Sequence, residues 1–198
     1  MDAKTEKKNL HKALQQQFYE DEAACLAELL KQCLSRENPV YEKIDMPREV
    51  KDECLLTAFG ERLIVPTQSG PRGGWDDRSL RLQEGEYYMM PLLVRHLMSN
   101  AAREGELVPH KALENVLSLL SKEPKEGTRE LVHLACENCR QGKIEAGLLY
   151  VVAQRSGLEL DLHETLDALD LLGVVSPSSK GPVGAGLVWY ELNPCLFY

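Results

Sequence analysis

Three side chains of this 198-residue chain combine ligand chemistry with ligand spacing: His133, Cys136 and Cys139. Imidazole nitrogen and thiolate suit zinc, and steps of three residues hold such groups near one face of a helix. A structural zinc usually takes four ligands, yet no second Cys-x-x-Cys completes this set. A redox Cys-x-x-Cys would sit at a helix N-terminus, where the dipole lowers the thiol pKa. These cysteines instead fall late in a helical pattern, beside Val132 and Ala135. They read as core cysteine, with metal binding as the alternative, and no cofactor is expected.

Catalytic motifs are missing. Gly70-Pro-Arg-Gly-Gly74 lacks the Gly-Lys-Ser/Thr ending of a phosphate loop. Neither Gly-x-Ser-x-Gly nor His-Glu-x-x-His occurs. The expectation is a non-enzymatic binding protein.

Two groups of residues carry interaction chemistry. Arg72, Arg78 and Arg81 surround Trp75 in and just after a Gly-rich stretch, Thr67–Ser79. Loop arginines can contact phosphate or the minor groove, and an exposed indole can stack on an unpaired base. The alternative is that Trp75 folds onto the core while the arginines pair with Asp76 and Asp77. The second group lies on a predicted helix over Leu162–Leu172. Leu162, Leu166, Leu169 and Leu172 share one face, and the opposite arc carries His163, Glu164, Asp167 and Asp170. The helix contains no Arg, Lys, Asn or Gln, the side chains that dominate base readout. Its carboxylates would repel phosphates. It is either a solvated acidic face or a docking face for a basic partner.

Charge agrees with this. The net charge is −8, and residues 144–198 hold two basic residues, Arg155 and Lys180, against seven acidic ones. A phosphate-binding patch would have to be local. The longest stretch without Asp, Glu, Lys or Arg, Gly181–Tyr190, is half the length of a membrane span. The N-terminus has no apolar signal region. No membrane association is expected, the cytoplasm is the expected compartment, and the six cysteines should be reduced thiols.

These groups need elements to position them. Residues 1–9 are polar and should be disordered. A helical pattern runs from Leu10 to about Ser35. A helix starts at Pro47 and stops at Gly60. Leu63–Val65 reads as a strand, with Leu80–Gln83 as its alternating return. Central helices follow at Pro91–Arg103 and 109–121. Three more occupy 128–140, Ile144–Arg155 and Leu162–Leu172, the last two closed by Gly157 and Gly173. Asp161 and Glu164 form a capping-box start for the last of them. Val174–Val175 and Leu187–Leu192 flank a second Gly-rich loop, Ser176–Gly186.

Helix, Gly, short strand, Pro, loop, strand thus occurs twice, at Phe59–Gln83 and at Leu172–Leu192. This order resembles the winged-helix fold, a helix-turn-helix followed by a two-stranded wing, most closely over 144–198. The resemblance implies a mostly α, α+β chain of two winged-helix modules joined by central helices. The boundaries are 1–9, 10–85, 86–125 and 126–198. It also implies transcription-regulator-like DNA binding, or protein binding as in tandem winged-helix subunits of chromosome-segregation and endosomal-sorting assemblies. Partners are therefore DNA or a protein. The amphipathic helix over 10–35 suggests a homodimer, because pairing of such helices joins the subunits of winged-helix regulators. Tyr87-Tyr88-Met89-Met90 suits packing between the halves or an interface.

Overall fold

Asp2 begins the chain's first helix, α1 (Ala3–Leu14), because its carboxylate accepts the Thr5 amide at 2.7 Å and satisfies a donor that the helix leaves unpaired. The computed structural model describes residues 2–67, 74–75, 78–120, 125–178 and 188–198. Residues 1–9, expected to be disordered, are therefore helical from Ala3, and Leu10 and Leu14 of the same helix are fully buried.

The single helix expected over 10–35 is broken. After α1 the chain turns at 15–19, and α2 (Glu20–Leu34) starts afresh. The Tyr19 N–H donates to Glu22 Oε2 at 3.3 Å. Glu20, Asp21 and Glu22 occupy the first turn, where carboxylates meet the positive end of the helix dipole. The apolar sides of both helices are consumed inside the molecule. Helix α3 (Arg48–Gly60) packs on α2, and Cys25 and Cys54 are joined by a disulfide between the two helices, Cα to Cα 6.1 Å. The expectation of six reduced thiols is corrected at this pair: packing α3 on α2 brings two cysteines 29 residues apart to bonding distance.

Strand β1 (Val65–Pro66) pairs antiparallel with β2 (Tyr88–Met89). The return strand expected at Leu80–Gln83 is not a strand. Leu80 and Leu82 do face the core, so the alternation reports burial in an extended segment without ladder pairing. The first module thus takes its last strand from beyond residue 85. An isolated bridge, Val40 with Tyr87, places a third segment on the other side of β2. The Tyr88 N–H donates to Pro39 O at 2.9 Å. A 3-10 turn, Tyr41–Lys43, separates this bridge from α3.

Helix α4 (Leu92–Glu104) ends at Gly105, which takes the left-handed conformation that glycine adopts without steric cost. Helix α5 (Pro109–Leu117) has proline at its first position. The second half runs α6 (Lys125–Asn138), β3 (Lys143–Glu145), α7 (Ala146–Arg155), α8 (Leu162–Leu171), β4 (Val175–Ser178) and β5 (Trp189–Leu192). The helix expected from Ile144 thus starts at Ala146. Its first residues form β3, which pairs antiparallel with β5, and β5 pairs with β4. The sheet order is β3-β5-β4, with Tyr190 opposite both Ile144 and Pro177. Among the described residues the chain is therefore an α+β protein of eight helices and two small antiparallel sheets.

The halves interlock. The Arg62 guanidinium lies against Glu191 of β5 at 3.0 Å, with both side chains 12 % exposed. Its Nη1 also donates to Phe59 O at 3.0 Å. These contacts hold Arg62 at φ 54°, a left-handed conformation unusual for a residue with a side chain. Arg62, not Gly60, therefore supplies the left-handed residue after α3. Asn193 Nδ2 donates to Arg62 O at 3.5 Å, and the Leu93 N–H to Leu172 O at 2.9 Å. Phe18 and Tyr198 stack edge to face, 6.0 Å between centroids. One hydrophobic cluster runs from Leu10 through α4 to Cys195.

Candidate functional site

Helix α8 is set by local chemistry. Asp161 caps it by accepting the Glu164 N–H at 3.0 Å. Leu166 and Leu169 are buried. Gly173 follows at φ 70°. Its C-terminal end is fixed against the first half through Leu172, whose carbonyl accepts the Leu93 N–H, and Gly173, which packs closely on Pro91; this leaves the opposite arc to solvent. That arc is His163, Glu164, Asp167 and Asp170, all exposed and all on one helix, as their spacing predicts. His163 Nε2 lies 3.8 Å from Asp167 Oδ2. Leu171, 85 % exposed, ends the helix. The Asp170 carboxyl is pushed above the usual carboxylate range by desolvation, with the Arg78 charge acting against the rise.

The other loop group is not assembled as a nucleic-acid surface. Arg72 lies outside the described residues, as do Asp76 and Asp77. Trp75 is 3 % exposed, so the indole is not presented to a base, and its backbone N–H donates to Ser176 Oγ at 3.1 Å. Gly74 beside it touches the Pro177 carbonyl so closely that a Cβ would collide with it. Arg78 Nη1 donates to Pro66 O at 3.0 Å and contacts Met89 Sδ. Arg81 is exposed and lies 3.7 Å from Glu86, where pairing with Asp76 or Asp77 was expected. In Tyr87–Met90, Tyr88 is fully buried and bonds Arg81 O within the first half, while Tyr87 is exposed.

His133 is exposed, whereas Cys136 and Cys139 are half-buried. The Cys136 thiol is pushed up to about 11, by burial first and then by Cys139 and Glu137. The Cys139 thiol donates to Cys136 O. Among the described residues, no three His, Cys, Asp or Glu side chains converge to hold a metal ion. Cys33 is buried, with its thiol raised to about 12, and Cys195 is buried too.

A family model matches residues 8–198, almost the whole chain, and its description assigns no activity. The chain belongs to that family. No curated protein and no solved structure matches it.

A second surface escaped the sequence reading. Helix α7 is anchored by Leu149 and Ala153, and its solvent arc presents Leu148, Tyr150 and Val151, all exposed. Val188, also exposed, accepts the Ala146 N–H at 2.9 Å at the start of this helix. The continuous apolar run Leu148–Ala153 hid the split, because a helix apolar all round gives no face by periodicity. No helix among the described residues is long and apolar enough to cross a membrane.

Proposed function

We propose that this is a non-catalytic protein-binding protein with two winged-helix modules, and that α8 takes a basic segment of a partner protein. The order helix, strand, helix, helix, strand, loop, strand, with the last strand central, supports the winged-helix reading of the second half. On that reading α8 corresponds to the recognition helix. What carries the choice of ligand is the solvent arc of that helix: three carboxylates and a histidine, with no cation. A phosphate backbone meets repulsion there, while lysine or arginine side chains meet complementary charge. The exposed apolar arc of α7, the preceding helix, supports a partner that also brings apolar side chains. Neither Trp75 nor Arg78 is available to DNA in this arrangement.

The test is fluorescence anisotropy with a lysine-rich amphipathic helical peptide and with a mixed-sequence DNA duplex. The peptide should bind. Asp167→Lys/Asp170→Lys should weaken it by tenfold or more, roughly two charge-assisted contacts. A charge-matched control, Glu106→Lys/Glu130→Lys, changes exposed residues outside α8 and should have a much smaller effect. Equal losses in both double variants would reduce the binding to bulk attraction and sink the assignment. Duplex binding with a steep salt slope, relieved by Arg81→Ala, would favour DNA instead.

A further inference from the structure

A cleft of 740 Å³ opens beside α4, far from α8 in sequence and walled by four helices. Glu6 comes from α1 and Leu34 from α2. Arg95, His96, Ser99, Asn100, Ala102 and Arg103 come from α4, Asn115 from α5, and Ser118 and Leu119 from the turn that follows α5. His96, Asn100 and Arg103 lie at steps of four and three, so one face of α4 presents all of them.

Asn100 is 1 % exposed, and its Nδ2 has no acceptor in the protein. The orientation of this amide is fixed by chemistry. Arg103 Nη2 donates to Asn100 Oδ1, and a guanidinium carries donors only, so the oxygen must face Arg103. That leaves the amide N–H₂ as an orphan donor in the cleft wall. A buried donor without a partner is costly, and such groups in native structures call for an unseen acceptor. Arg103 has no carboxylate partner among the described residues. Arg95 adds positive charge while its own N–H groups hold the carbonyls of Leu34, Arg36 and Glu37. Glu6 is the single carboxylate among the lining residues. Half-buried Leu34 and exposed Leu119 give the cleft an apolar side.

We propose that this cleft binds a small organic carboxylate. Its oxyanion takes hydrogen bonds from Asn100 and Arg103 beside His96, and its apolar body lies on Leu34 and Leu119. Carboxylate is the class that matches a guanidinium fork and an amide donor together with an apolar wall. This site is independent of the partner reading for α8, and the two can fail separately.

His96 offers a direct readout. Desolvation, then Arg103 and Arg95, holds its pKa below the ordinary histidine range in the empty cleft. The charged groups lining the cleft around it are Arg95 and Arg103 of its own helix and Glu6 of α1; α2 and α5 contribute none. An anion bound there stabilises the imidazolium, so binding should raise the His96 pKa and take up protons as pH falls.

The experiment is titration of the full chain with benzoate, followed by the His96 ring resonances and by calorimetry. Benzylammonium and inorganic phosphate serve as comparison probes at equal ionic strength. Saturable binding of benzoate, an upward shift of the His96 pKa and no binding of benzylammonium are expected. Asn100→Leu removes the orphan donor and should weaken benzoate about tenfold. Should that variant fail to fold, Arg103→Gln on the exposed side of the cleft should weaken benzoate to a similar degree. Glu6→Gln should tighten it. Equal binding of benzylammonium, binding of phosphate in preference to benzoate, or no saturable response of His96 would each overturn the proposal.

Discussion

The two halves share a plan and differ in what they leave uncovered. In the first, a bridge at Val40, a 3-10 turn, α3 and the β1–β2 pair follow α2, with β2 in the middle. In the second, β3, α7, α8 and the β4–β5 pair follow α6, with β5 in the middle. The first half has reduced its opening strand to one bridge and its middle helix to one turn. Its α3 is locked in place: Cys54 is bonded to Cys25, and buried Lys51 donates to Tyr41 O at 3.2 Å. The second half keeps both helices, with an apolar arc on α7 and an acidic arc on α8. A shared order of elements therefore does not leave the same faces open; exposure depends on what neighbouring elements cover.

The comparison can be broken at several points. The largest effect should come from Arg62→Ala, which removes the largely buried ion pair with Glu191 at the junction; a loss of about 4 kcal/mol is expected in urea denaturation. Cys54→Ser should cost about 3 kcal/mol under oxidising conditions, because the bond closes a long loop of the unfolded chain, and should abolish any further effect of reductant. Rapid alkylation and intact mass should find this pair closed and protected, with the other four thiols free to react on denaturation. On α7, Leu148→Ser/Val151→Ser should change stability by no more than about 0.5 kcal/mol, in contrast to buried Leu149→Ala at about 3 kcal/mol. The smallest effect is at Asp170. Its folded pKa lies above its ordinary value of 3.8, so stability is fullest below that value and is lost as pH rises through the folded pKa. Asp170→Asn should therefore give a slightly higher Tm than wild type at pH 7, with the difference vanishing in acid.

Much of the second half was legible because its signals are local. The Asp161 cap, the Leu166 and Leu169 spacing and the left-handed glycines after α7 and α8 each depend on a few neighbouring residues. Strand β3 was not legible. Its three residues hold one apolar side chain, Ile144, and its existence depends on β5, some 45 residues away in sequence. The break between α1 and α2 has neither Pro nor Gly, and its one signal was the acidic run Glu20–Glu22 at a new N-terminus. The acidic arc of α8 was readable from helical spacing alone. The fate of Trp75 was not, since an indole in a Gly-rich stretch looks the same in sequence whether it is exposed or buried. The cleft beside α4 could have been suspected from His96, Asn100 and Arg103 at steps of four and three along one face of the helix. Only the fold shows that the nearest acid in its lining is Glu6 of α1.

Gly74 and Trp75 belong to the first half by sequence, yet they rest on Ser176 and Pro177 of the second. The hairpin loop of one half is thus part of the packing of the other. Cutting the chain between the halves would expose that seat and strand the loop, so the pieces should behave as complementing fragments and not as autonomous domains. The intact chain should melt in a single transition, and a partner bound at α8 should raise the melting temperature of the whole molecule.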